Sequence, residues 1–199
     1  MKLRILFLVF FLIGSIAFSQ KKYPDMGLNK VRIYLKDKSV LAEINPVKNI
    51  GNIFTDRTYY WYGTNQINLT QGGYSGRLLN GVYMEYFPDR NIKLSGYYNN
   101  GLKEGIWKTW DSDGILIDYF TWKKGQRNGD FKLFNDSGKI QEIGIYKDDL
   151  LEGWKKVYTS SDSVEVIYYN KGIIINGKDT KGLKKILKRK GPEKGFIRE

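Results

Sequence analysis

Five glycines, Gly81, Gly105, Gly129, Gly153 and Gly177, stand 24 residues apart at every step. A fixed period of this length marks a repeat architecture. Each unit is one supersecondary element that cannot bury its apolar face alone and must stack on its neighbours. Other columns keep the same period. Two residues after the lead glycine come Tyr83, Trp107 and Phe131, then Lys155, which breaks the column. Five residues after it come Tyr86, Trp110, Phe134 and Tyr158, and eleven after it Ile92, Leu116, Ile140 and Val164. Near position eighteen stand Tyr98, Trp122, Tyr146 and, after a one-residue slip, Tyr169. A worn earlier unit over 57–80 keeps Tyr59 and Tyr62 in register but has Arg57 where the glycine belongs. Terminal repeats are often atypical because they close the stack.

Each unit divides at turn residues. Mid-unit turns fall at 88–91, 111–114, 135–138 and 160–163, and end-unit turns at 99–101, 123–125, 147–149 and 170–172. Gly, Asn and Asp accept the positive φ that tight hairpins require. The segments between are five to eight residues long and rich in Tyr, Trp, Phe, Ile and Val, which is strand composition. The pattern predicts an all-β fold: a single elongated antiparallel meander of 24-residue hairpins. The lead glycine is expected where strands approach closely or where the sheet coils. Matching columns would form aromatic ladders, each pair contributing roughly 0.2–1 kcal/mol.

Glycine-led units with an aromatic two residues on, another three later, an Asn/Asp-Gly turn and an apolar return strand resemble the MORN-variant repeats. The resemblance covers about residues 57–177. The run TYYWYGTNQINLTQGGYSGRLLNG, followed by GLKEGIWKTW, is similar to an exported subgroup common in Bacteroidetes. Many relatives of this kind carry the name of the YwqK antitoxin. The resemblance implies an architecture rather than an activity. Lys155 for an aromatic, Asp149 for the turn glycine and Arg57 for the first glycine depart from the pattern.

The ends read differently. Lys2 and Arg4 precede a nearly unbroken apolar run, Ile5 to Phe18, and Ala17-Phe18-Ser19 places small residues three and one before a cut. That is the layout of a cleaved secretory signal peptide over 1–19, with no Cys for a lipid anchor. Residues 20–56 are expected to be N-terminal cap strands, Lys30 to Leu35 and Val40 to Ile44 pairing onto Tyr59–Tyr62. Four regular units fill 81–177. Residues 178–199 form a basic tail in which Leu183, Ile186 and Leu187 recur at helical spacing. The formal charge is +12, or +10 once Lys2 and Arg4 leave; nine Lys/Arg against three acids give the tail +6 of it.

No His and no Cys occur, which removes the commonest general base, the thiolate nucleophile and the usual metal ligands. Asp111 and Asp113 flank a turn, but a calcium loop needs further oxygen ligands and a closing Glu, so Asx-turn chemistry is the better reading. No carboxylate pair suggests glycosidase action. The chain is therefore expected to be no enzyme, with no cofactor and no metal. The expected function is an exported scaffold for protein or cell-envelope interaction, periplasmic, cell-surface or secreted. Tyr83, Tyr86, Trp107, Trp110, Trp122, Phe131 and Phe134 are candidates for the partner-binding face, although thin sheets need their own core and packing competes for them. Lys184, Lys185, Lys188, Arg189 and Lys190 are candidates for an anionic membrane surface. A periplasmic immunity or antitoxin-like role is the other alternative. No nucleic-acid partner is expected. The mass of the exported product should place its first residue at Gln20; a product that keeps residues 1–19 would contradict cleavage.

Overall fold

A computed structural model describes residues 29–45, 52–159 and 163–175. Residues 1–19, expected to be a signal peptide, and the basic tail with Lys184, Lys185, Lys188, Arg189 and Lys190 lie outside the described residues. Thirteen antiparallel strands make one open sheet, an all-β meander of hairpins. Four belong to the N-terminal hairpins: β1 (Lys30–Tyr34), β2 (Ser39–Ile44), β3 (Thr58–Gly63) and β4 (Gln66–Gln71). The repeats supply β5 (Arg77–Tyr86), β6 (Ile92–Asn99), β7 (Leu102–Trp110), β8 (Leu116–Lys123), β9 (Gln126–Phe134) and β10 (Ile140–Lys147). The last are β11 (Leu150–Tyr158), β12 (Val164–Asn170) and the short β13 (Ile173–Ile174).

Four lead glycines, Gly81, Gly105, Gly129 and Gly153, lie inside strands and do not bound them, and Gly177 lies outside the described residues. At Gly81, Gly105, Gly129 and Gly153 φ is positive, between 68° and 125°. Next to each, pairing with the preceding strand slips by two residues, between Ala42 and Ile44, Ser95 and Tyr97, Phe120 and Trp122, Gly144 and Tyr146. Such a bulge bends the strand while the ladder continues on both sides. This is why the observed strands outrun the segments read from the sequence.

The end-unit turns are two-residue hairpins with both central residues at positive φ: Asn100-Gly101, Lys124-Gly125, Asp148-Asp149 and Lys171-Gly172. That geometry matches the twist of the flanking strands. Each turn is also tied to the unit before it. Gly101, Gly125, Asp149 and Gly172 donate their N–H to the carbonyls of Leu79, Lys103, Arg127 and Leu151. One position further on, the Asn80 amide oxygen and the Glu104 and Glu152 carboxylates accept the N–H of Asn100, Lys124 and Lys171, at 2.7–2.9 Å.

The N-terminal segments differ from expectation. The β1–β2 hairpin forms, but β2 pairs with β5 (Ala42 opposite Tyr83), not with Tyr59–Tyr62. The worn unit is displaced from the line of the sheet. β3 and β4 pair with each other, and β3 pairs with β5 only at Trp61–Leu78 and Tyr62–Arg77. The reason is chemical: β2 offers Val40, Ala42 and Ile44, all at most 3% exposed, as a better apolar neighbour for β5. The β3–β4 hairpin then lays Tyr60, Tyr62 and Ile67 over Val40, Ala42, Ile44, Leu79, Tyr83, Tyr98 and Trp107. Tyr59, Leu78 and Leu102 form a second small core at its root. We call the covered face inner and the opposite face outer.

One cross-strand row runs along the inner face. Its pairs are Val31–Ala42, Ala42–Tyr83, Tyr83–Gly96, then Trp107–Phe120, Phe120–Phe131, Phe131–Gly144, Gly144–Lys155 and Lys155–Ile167. Two glycines interrupt the row, and at each a large ring from the next or preceding strand lies across a position that has no side chain. A Cβ on Gly96 would collide with the Trp107 indole, and one on Gly144 would stand 2.8 Å from Phe131 Cε1. Gly96→Ala should therefore lower stability by roughly 1–3 kcal/mol in urea unfolding, the usual cost of overpacking. Gly73→Ala, where an added Cβ meets nothing within 4 Å, should stay within about 0.5 kcal/mol of the parent.

Candidate functional site

Strand alternation divides the candidate residues between two faces. Tyr83, Trp107 and Phe131 point inward and are only 6%, 3% and 3% exposed. They are packing rungs and give a partner no accessible surface. Tyr83 packs edge-on against Tyr98 at 5.3 Å, Tyr98 against Trp107 at 4.8 Å, and Phe131 stacks on Phe120 at 5.7 Å. Trp122 also belongs to the inner face and is half-buried against this core. Tyr86, Trp110 and Phe134, three residues on from the rungs, belong to the outer face and are half-buried. The seven candidates therefore do not converge on one surface.

The inner-face ionisable groups are tied to one another. A groove of about 300 Å3 between the β3–β4 hairpin and the sheet is lined by Lys38, Tyr60, Ile67, Tyr83 and Glu85. At its floor the Tyr83 hydroxyl donates to Glu85 at 2.6 Å, and Lys38 Nζ lies 2.9 Å from both carboxylate oxygens. Burial, then the Glu85 hydrogen bond and charge, push the Tyr83 phenol far above its ordinary value. The phenol stays a neutral donor and the carboxylate is fully engaged, so the groove offers neither a free base nor a nucleophile.

Lys103 fills the next gap. Its ammonium lies 4.3 Å from the Trp107 ring centre, 4.6 Å from Trp122 and 5.8 Å from Tyr60. Burial pulls its pKa down, opposed by the charges of Asp118 and Glu85. Asp118 is pushed up by burial, against the hydrogen bond from Thr109 and the Lys103 charge. One unit later Arg127 lies 4.2 Å over Tyr146 and bonds Asp149 at 3.0 Å. Asp149 thus keeps a left-handed backbone, φ 66°, and in exchange anchors the guanidinium. Lys155, the break in the aromatic column, binds Glu142 at 3.1 Å. Asp149 and Lys155, two departures from the repeat, each carry a charge pair.

The β3–β4 hairpin covers the inner face over β1, β2 and β5–β7. On β9–β12 the same face carries Leu133, Tyr146, Val157 and Ile167, all half-buried, with no described strand laid over them.

The sequence reading passed over one column. Three residues after the lead glycine come Met84, Lys108, Lys132 and Lys156. Register places them in one outer-face row: Lys108 opposite Tyr119, Tyr119 opposite Lys132, Lys132 opposite Ile143, Ile143 opposite Lys156. The signal was the shared 24-residue period. At the mid-unit turns, one Asp111 oxygen accepts the N–H of Asp113 and Ile115, and Asn135 does the same for Ser137 and Lys139. These are Asx turns. Among the described residues no cluster of three acidic groups is close enough to hold a cation. Compared with known proteins, the chain matches no family model and no curated sequence.

Burial raises the pKa of Tyr60, Tyr83 and Tyr98 above the ordinary 10.0. The unfolded phenols release protons first, so this stabilisation is complete below pH 10.0 and is lost as pH rises through and beyond it. The melting temperature should fall steeply above that pH. Phenolate absorbance of Tyr83 and Tyr98 should appear only with unfolding; their titration in the folded state would contradict the packing.

Proposed function

We propose that this chain is an exported, non-catalytic scaffold of MORN-like repeats that binds a protein partner across the open half of its inner face. The observation that carries the reading is the unequal cover of that face. A sheet's apolar face is stable when another layer lies on it. Over the first half the β3–β4 hairpin is that layer; over β9–β12 no described segment takes its place. Half-buried apolar surface without a covering layer can serve as an interaction site.

The covered half indicates what fits the open half. Tyr60 lies 4.9 Å from Tyr98, with Tyr62 and Ile67 on the same core. A partner segment with alternating aromatic and aliphatic residues can repeat this contact on Tyr146, Val157 and Ile167. The pairs Arg127–Asp149 and Lys155–Glu142 are already satisfied, so the contact is mainly apolar. The non-catalytic part of the reading is supported by the closed Tyr83–Glu85–Lys38 network.

A photo-crosslinking side chain placed at Val157 or Ile167 in living cells should give one discrete protein adduct. The same group at Ile106, 52% exposed on the outer face, should not give it, and Tyr146→Arg should abolish it. Identical adducts from both faces, or none from the inner positions, would sink the reading.

A further inference from the structure

We propose that the outer face is a track for an extended acidic polysaccharide, a glycan whose sugar rings carry uronate-type carboxylates. The site is independent of the inner face, so failure of either proposal leaves the other standing.

The charge division comes first. On the inner face the cations meet carboxylates: Lys38 with Glu85, Arg127 with Asp149, Lys155 with Glu142, and Lys103 close to Asp118. On the outer face Lys108, Lys132 and Lys156 have no carboxylate partner among the described residues. They stand on alternate strands of one row, so successive ammonium groups are about 10 Å apart along the sheet. That is close to the length of two linked pyranose rings. A chain with a carboxylate on every ring or on every second ring presents charges at this interval.

The second observation is the ring that accompanies each cation. Two residues after each lysine, on the same face, stand Trp110, Phe134 and Tyr158, all half-buried. Flat aromatic surfaces stack on the apolar faces of sugar rings, as they do on other apolar surfaces. Each unit thus supplies one charge and one platform.

The track ends in a groove. Tyr86, the first member of the same aromatic column, lines a cavity of about 680 Å3 with Tyr34, Arg32, Lys36 and Arg90, and no acidic residue lines it. Met84 interrupts the lysine column, but Arg32 lies in the same cross-strand row through Leu41 and restores a cation at the end.

Sheet twist selects the shape of the partner. Adjacent strands rotate by roughly 20–25°, so four steps from Lys108 to Lys156 turn the face by about 80–100°. A planar bilayer cannot meet all three cations at once, whereas a flexible polymer can follow them. An acidic peptide offers charge but no regular flat rings.

The test uses the purified full chain in affinity electrophoresis against polygalacturonate, with neutral dextran, anionic phosphatidylglycerol vesicles and oligodeoxythymidylate as further probes. Polygalacturonate should retard the chain, less so as salt rises, and dextran should not. Lys108→Gln/Lys132→Gln/Lys156→Gln should weaken this binding by roughly tenfold or more. The charge-matched triple Lys123→Gln/Lys124→Gln/Lys147→Gln, at exposed turn positions, should change it by less than about twofold. Both variants keep the basic tail, so its contribution cancels, and far-UV circular dichroism checks the fold. Equal losses in the two triples, or polygalacturonate binding that Trp110→Leu and Phe134→Leu leave intact, would overturn the proposal. So would lysine-dependent binding to vesicles or oligonucleotide in place of the polysaccharide.

Discussion

The structure depends on large rings lying across glycine backbone within a single sheet. A lone sheet has no opposing layer from which to draw a core. Trp107 over Gly96 and Phe131 over Gly144 supply that core sideways, strand to strand. Phe131 is 3% exposed although no described strand lies over it. Interiors gain from dense contact, and a ring against backbone makes contacts that a ring against another bulky side chain could not. Ring over glycine recurs at Gly96 and Gly144, whereas Phe120, midway between them in the 24-residue period, fills the same place with a ring stacked on Phe131.

The charges are arranged around this core. A cation beside an aromatic face is attracted to it, and a nearby carboxylate offsets the cost of removing it from water. Lys103 and Arg127 occupy such niches between Trp107, Trp122 and Tyr146. The inner face is therefore electrically settled. The outer face, with the same period and the same strands, keeps its lysines without carboxylate partners, and the two surfaces differ in the chemistry that they offer.

The period, the hairpins, the strand count per unit and the turn chemistry were legible in the sequence because each rests on local geometry. Positive φ selects Gly, Asn and Asp, and alternation selects aromatics and β-branched residues. The faces were harder. Columns two and five residues after the lead glycine look alike as letters, yet an odd offset sends Tyr83 inward and Tyr86 outward. The role of the worn unit was not legible either. Tyr59 and Tyr62 keep the repeat register, but whether β2 or β3 flanks β5 is decided by competition between apolar neighbours far apart in the chain. The lysine column was written plainly and overlooked, since cations on a strand are usually read as solvated surface.

The bonds that tie each turn to the preceding unit give the array a direction. The carbonyls of Leu79, Lys103, Arg127 and Leu151 and the side chains of Asn80, Glu104 and Glu152 serve the following hairpin, never their own. Every unit is finished by its predecessor and prepares a socket for its successor. A start therefore requires a dedicated piece, which the β1–β2 and β3–β4 hairpins provide, whereas growth requires only a copy. Duplicating 24 residues adds a unit whose acceptors already exist, so such a chain can lengthen in evolution one gene-segment duplication at a time, with both faces extended in phase.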